Sequence, residues 1–415
     1  PDIAHFKFLF EQLVTHRSVP DIEVFLQLRD YPVVNGNYDS KTNKTTLYQP
    51  NPDLVSDTSR IQYECDGGLT PVLTHSTKDG YYDIPLPTRD DIDYFAQQYF
   101  IDKCNGAYID HLPEDSLWVD WDKKTISKAV FRGSATGRGT TIDVNQRLKT
   151  MHLSHKYPEL IDARVVAFND KYKVENDKAG LQKIDRAEIQ KQVGAIHKGY
   201  RMDYDTRKYY KYNLCLDGHI RADRMANEMR TGSLIILPTT DGHRLWYEPF
   251  LTPLAWEDIQ RTNKYTPATI TKKGYTHVTI SRLDTLPRLI QWLQTNDPIC
   301  QAIVQNAKSW LFDAKTGHYL RKSPKTSFLY DYMEGVLHSL AKQYIKKRYV
   351  LPLLPPEQPS LSRSVTSRKA KLKTKKHVGI VVGFRDSELN GVRTQQLKQF
   401  CEYWELLAPP GFHYT

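Results

Sequence analysis

Thirty-one residues in the middle of the chain, "KYYKYNLCLDGHIRADRMANEMRTGSLIILP" (208–238), leave few architectures open. A strand runs to about Leu216, Asp217-Gly218 makes a tight turn, and a helix follows over roughly 220–230. Thr231-Gly232 stops that helix, and "SLIIL" is a second strand. Strand, helix and strand in about thirty residues make a βαβ unit, so the fold class is α/β. The amino end of the helix then faces the carboxyl edge of the sheet, where ligands bind in open α/β folds. Arg221 and Arg224 fall in its first turns, where positive charge opposes the macrodipole. A bound anion would remove that conflict.

A second segment points to the same class of ligand. "KAVFRG" (128–133) reads as a strand running into "FRGSATGRGT" (131–140), which holds three glycines, a serine, two threonines and two arginines. Glycine lets backbone approach a ligand closely, and NH, hydroxyl and guanidinium groups all donate to an oxyanion. It is no Walker A loop, because Lys-Ser/Thr does not follow Gly139. Taken alone, the stretch fits an ordinary glycine turn with exposed arginines equally well. "DVNQRLKTMHLSHKYP" then reads as helix, "IDARVVAF" as strand, and "DKAGLQKIDRAEIQKQV" as a surface helix.

Upstream, "AHFKFLFEQLVTH" has a helical pattern, and the apolar "IEVFLQL" ends in "RDYP" in the way a buried strand hands over to a loop. Asp30 therefore stands at the carboxyl end of a strand, a position shared by turn formers, helix caps and catalysts. Residues 35–80, rich in Asn, Asp, Gly, Thr and Pro, are expected as long loops. A helix capped near Thr88 or Asp90 follows, and the carboxylates of "RDDID" (89–93) read as capping groups rather than a metal site.

Composition sets the class of protein. With 415 residues, 40% hydrophobic, the chain can bury two ordinary cores, and no apolar run approaches the roughly 20 residues of a membrane span. A net charge of +10 invites a nucleic-acid partner, but "RSVTSRKAKLKTKK" (363–376) contributes seven of those charges and leaves +3 for the rest. No aromatics alternate with them, so the run reads as a solvated linker and nucleic acid is not the expected partner. Five scattered cysteines without a CxxC pair fit reduced thiols in a cytoplasmic setting.

The order "LRDYP", "YYDIPLP", "AVFRGSATG", "LIDAR", the βαβ unit, "WYEPFLTP" and "HVTISRLDTLPRLIQWLQTNDP" resembles glycosyltransferase family 90 over about residues 10–345. That family holds the protein O-glucosyltransferases and the fungal capsule xylosyltransferases. The resemblance implies a GT-B architecture, two Rossmann-like domains facing across a cleft, and inverting transfer of glucose or xylose from a UDP-sugar to a glycan or protein hydroxyl. It implies no metal and no cofactor beyond the donor itself. Residue by residue, Asp30 takes the place of the catalytic base, with Asp83 of "YYDIP" the first replacement to test. Ser134 and Arg224 match donor diphosphate contacts, Arg138 stands in for a further phosphate-binding arginine, and Gly133, Gly218 and Arg221 line the same place. "HIRADR" departs from the small residues of many relatives and puts His219 and Arg221 near the phosphates. The cysteines do not match the disulfides of secretory-pathway relatives, so their acceptor is not carried over.

On this reading residues 1–125 form the acceptor-side domain, 126–326 the nucleotide-sugar domain, and 327–350 a helix returning to the first domain. Residues 351–376 are a Pro-rich and basic linker, and 377–415, with the strand "HVGIVVGFRD" and the helical "RTQQLKQFCEYWELL", start a further domain that weakly resembles a GT-A glycosyltransferase. A terminal strand and helix docking onto the preceding domains is the alternative. Two other functions compete: an inactive family member serving as a binding or assembly module, and nucleic-acid binding through the basic tail.

Overall fold

In the run Leu234–Pro238 all five residues are buried, which alternation with solvent would forbid and a parallel strand covered on both faces requires. The computed structural model describes residues 2–27, 32, 34–39, 44–47, 61–63, 72–78, 81, 83–88, 90–92, 117–171, 173–174, 181–239, 242–262, 264–312, 328–346 and 378–382. Two parallel sheets organise them. The first holds β1 (Ile22–Leu26), β2 (Val72–Thr74) and β3 (Ile84–Pro85), with Val378–Val382 paired along the other edge of β1. Helix α1 (Asp2–His16) precedes it.

The second sheet has six strands, all parallel: β4 (Ile126–Ser134), β5 (Ile161–Ala167), β6 (Tyr210–Leu214), β7 (Leu234–Pro238), β8 (Thr252–Ala255) and β9 (Tyr275–Ile280), in the spatial order β8-β9-β7-β6-β4-β5. Its helices include α2 (Gln146–Lys156), α3 (Met225–Met229), α4 (Leu286–Thr295) and α5 (Asp297–Phe312), and α6 (Phe328–Lys346) closes the described body. Side chains alternate across a strand, and β7 uses both faces. Leu234 and Ile236 join the core under α4 and α5, whereas Ile235 and Leu237 join one that also holds α1, β1 and α6. A single apolar core therefore runs from the first sheet into one face of the second. Thr77–Lys78 and His243–Arg244 add a short antiparallel ribbon between the two.

Several expectations change. Residues 35–80, read as long loops, contain Val34–Asp39, Lys44–Leu47 and Ile61–Tyr63 paired in an antiparallel sheet, because short strands between turn-forming residues need little apolar sequence. Among the described residues of the charged segment read as one surface helix, Arg186–Val193 is helical, with Asp185 capping it, and Leu181–Gln182 pairs as a strand instead. The helix expected over 220–230 is five residues long: Asp217 receives Ala222 N at 3.2 Å and holds the preceding residues in a turn, and Gly232 (φ 73°) ends the segment. Val378–Val382, assigned to a further domain, adds to the first sheet. The linker 351–376 and the helical stretch 393–407 lie outside the described residues.

Candidate functional site

In the second sheet the direction of strand addition reverses beside β4. From β4 the chain passes to β5 on one side, then crosses to β6 on the other and continues outward through β7. The crevice beyond the carboxyl ends of β4 and β6 is thus the topological switch point, where the loops part and ligands bind in open α/β sheets. Its two walls are the segments singled out from sequence: residues 135–140 after β4 and residues 215–224 after β6.

The walls are fastened to each other from below. Asn145 caps α2 by accepting from Arg147 N and Leu148 N, both at 3.1 Å, while its amide donates to Thr136 O (3.1 Å) and Gly139 O (3.2 Å). Arg147, one residue into the helix, is buried and donates to Ser134 O (2.9 Å), Leu216 O (3.0 Å), Asp217 O (2.9 Å) and the Thr136 hydroxyl. One guanidinium therefore ties both walls together. Burial, with the Arg224 charge adding to it, pushes Arg147 down to about 9, so it stays protonated at neutral pH. Buried Lys173 donates to Gly137 O at 2.7 Å. Gly137 has φ 95°, and a Cβ there would stand 2.9 Å from Gly218 O, so the walls touch backbone to backbone.

Arg221 and Arg224 have different fates. Arg221 is buried and donates to Glu248 (Nε, 2.9 Å) and Asp217 (Nη1, 3.0 Å), so carboxylates of the chain already balance it. Arg224 donates Nε to Glu228 at 2.8 Å, and its guanidinium lies over the Phe131 ring, 5.3 Å from the centre, with Arg147 at 5.6 Å from the same ring. Burial opposes its charge, but Glu228 holds Arg224 well above the ordinary guanidinium value. Arg224 Nη2 is buried and makes no hydrogen bond within the described residues. A charged donor left dry in this way is costly unless a ligand accepts from it. His219, beside Lys173, Lys171 and Arg147, is pushed down to about 4 by burial and by those charges, and so is neutral at pH 7.

The structure thus brings Gly133, Ser134, Gly218, Arg221 and Arg224 to one sheet edge. Gly133 and Ser134 are the last residues of β4, the Gly218 amide donates to Ile220 O at 3.0 Å within the turn, and Arg138 stands exposed on the loop between Gly137 and Gly139. Asp30 lies outside the described residues, while Asp83 is buried immediately before β3. Asp91 has the capping role read for "RDDID": it accepts from Thr88 N (2.7 Å) and the Thr88 hydroxyl (2.9 Å), with Trp246 Nε1 reaching it at 2.7 Å from the second sheet's side.

Residues 5–378 match the family described as glycosyl transferase family 90. The chain belongs to that family. It is similar to uncharacterized protein 035R of Invertebrate iridescent virus 3 (26% identical over 375 residues, 89% of this chain and 29% of that protein). It is also similar to uncharacterized protein 027R of Frog virus 3 (27% over 302 residues, 71% and 28%) and 179R of Invertebrate iridescent virus 6 (28% over 342 residues, 74% and 26%). The chain spans less than a third of each of these relatives. Among solved structures, that titled "Crystal structure of GtfA/B complex" is 14% identical, with a TM-score of 0.31, covering 66% of this chain and 53% of the other. Among the described residues, no helix is long and apolar enough to cross a membrane.

Sequence reasoning missed Arg147, Lys173 and Glu228. Arg147 sits mid-pattern in a helix and its acceptors are backbone carbonyls up to 70 residues away, which leave no local trace. Glu228 did leave one, since it follows Arg224 at helical i,i+4 spacing.

Proposed function

We propose that this family 90 glycosyltransferase moves a glucosyl or xylosyl unit from a UDP-sugar to a hydroxyl of a glycan or protein acceptor, with inversion and without a metal. The observation that carries the reading is the dry Nη2 of Arg224 at the switch point, beside the Gly133-Ser134 strand end and the Gly218 turn. A leaving diphosphate accumulates negative charge. Arg224 and the loop around Arg138 supply fixed positive charge and NH groups for it where a metal would otherwise be needed. Asp30, expected where the first domain faces the cleft of a GT-B arrangement, takes the acceptor proton as the hydroxyl attacks.

Thermal melts with UDP, with and without a chelator, together with hydrolysis assays on a panel of UDP-sugars, test this. UDP should raise the melting temperature equally in both conditions, and UDP-glucose or UDP-xylose should be turned over. Dependence on manganese, or indifference to UDP, would overturn the donor assignment.

A further inference from the structure

Glu228 has no place in the donor chemistry proposed above, yet it is 1% exposed and takes two guanidiniums on one oxygen. Its Oε1 accepts from Arg224 Nε at 2.8 Å and from Arg207 Nη1 at 2.9 Å. Arg207 is itself buried, with its guanidinium 5.2 Å from the centre of the Tyr204 ring. Two positive charges against one negative leave the cluster one charge in excess. The unmade hydrogen bonds fall in the same place: Arg224 Nη2, Arg207 Nε and Glu228 Oε2 are all buried and make no hydrogen bond within the described residues. A purely structural ion pair gains most when its donors and acceptors are all matched. This one is matched at Arg224 Nε and leaves the neighbouring Nη2 unmatched.

The guanidinium of Arg224 is consequently held in two directions, by Glu228 at Nε and by the Phe131 face below. A planar fork fixed at one edge and one face has a single orientation for its remaining N–H groups. We infer that Glu228, anchored by Arg207, is a positioning residue that presents Arg224 to the anionic part of the donor. This rests on the donor reading above.

The charge of Glu228 makes the inference separable from a simple field effect. Glu228→Gln removes a negative charge close to an anion site, so on charge alone it should tighten UDP. If Glu228 positions Arg224, the same change should weaken UDP, by about 5- to 20-fold, because a neutral amide holds two guanidiniums poorly. Calorimetric UDP affinities of the full chain, its Glu228→Gln and Arg224→Ala variants and the double variant close a cycle. The expected loss on Glu228→Gln disappears, to within about twofold, when Arg224 is already alanine, since Glu228 then has nothing to present. Equal losses in both backgrounds, or unchanged or tighter binding by Glu228→Gln, overturn the inference while leaving the donor reading in place. No UDP binding by the unmodified chain overturns both. Should Glu228→Gln fail to fold, Arg207→Lys, which keeps the charge and loses the fork, is measured in the same two backgrounds. It should weaken UDP about threefold only where Arg224 is present, and no change there refutes the role.

Discussion

Arg147→Met is the change that best isolates how the two walls of the switch point are held. Methionine fills a similar volume with no polar group, so the perturbation is the loss of hydrogen bonds rather than a cavity. Three carbonyls, those of Ser134, Leu216 and Asp217, lose a charged donor at 2.9, 3.0 and 2.9 Å. Ser134 O keeps its bond from Thr136 N at 2.8 Å, so Leu216 O and Asp217 O are the carbonyls that lose most, at about 1–3 kcal/mol for each buried acceptor left unpaired, while removing a buried charge recovers part of the desolvation that burial imposes. The net expectation is about 3–5 kcal/mol of lost stability, read as a shift in the urea midpoint at constant slope. UDP affinity should fall as well, since the walls are no longer tied. Arg147→Lys, which keeps charge but reaches fewer acceptors, should fall between the two. A methionine variant within about 1 kcal/mol of the parent, with UDP affinity intact, would refute the claim that this guanidinium fastens the walls.

Asp30→Asn should bind UDP almost normally and lose about a hundredfold to ten-thousandfold in transfer, whereas Arg224→Ala should weaken UDP by about 1.5–3 kcal/mol as well as slow transfer. Calorimetry and UDP release on both variants check this; full turnover by Asp30→Asn would move the base, with Asp83 next in line. Burial pushes the Asp91 carboxyl up to about 7 against its bonds from Trp246 and Thr88. The folded chain then keeps a proton that the unfolded chain releases near 3.8, so this group's contribution falls as pH rises from about 4 to 7, by about 1.4 kcal/mol per unit. Asp91→Asn should flatten that slope in melts across pH 4–7, and an unchanged slope would count against the burial argument. Gly137→Ala, at φ 95° and 2.9 Å from Gly218 O, should cost about 1–3 kcal/mol in chemical denaturation, and a neutral result would mean that the walls are not in backbone contact.

How much of this could be read beforehand depended on the range of the interactions. The parallel strands around Phe131, Val165, Leu214 and Ile236 follow from short apolar runs, and the glycine-containing walls after β4 and β6 are local signals too. The capping box of Thr88 and Asp91 is local too, three residues apart. The length of α3 was not legible, because Asp217 holds Ala222 in the turn through a contact that competes with helix. Nor was the clamp by Arg147, whose partners are main-chain oxygens supplied by the sheet's crossover.

The reason first given for an anion at this edge needs replacing, because the helix behind it is short. Two arginines at the amino end of a long helix would be in conflict with its dipole, but α3 has five residues and little dipole to oppose. Arg221 lies before it, in the turn, and carboxylates on both sides already satisfy it. What remains is Arg224, the residue immediately before the helix, where one shared carboxylate serves two guanidiniums and a buried Nη2 goes unused. The demand for negative charge comes from that unmatched guanidinium, with buried Arg147 adding a second positive charge against the same aromatic ring. It is a demand of fixed charges, so it should hold at any pH where the arginines stay protonated. UDP affinity should therefore vary little between pH 6.5 and 8 apart from the donor's own titration, and a steep fall across that range would shift the role to a titrating group.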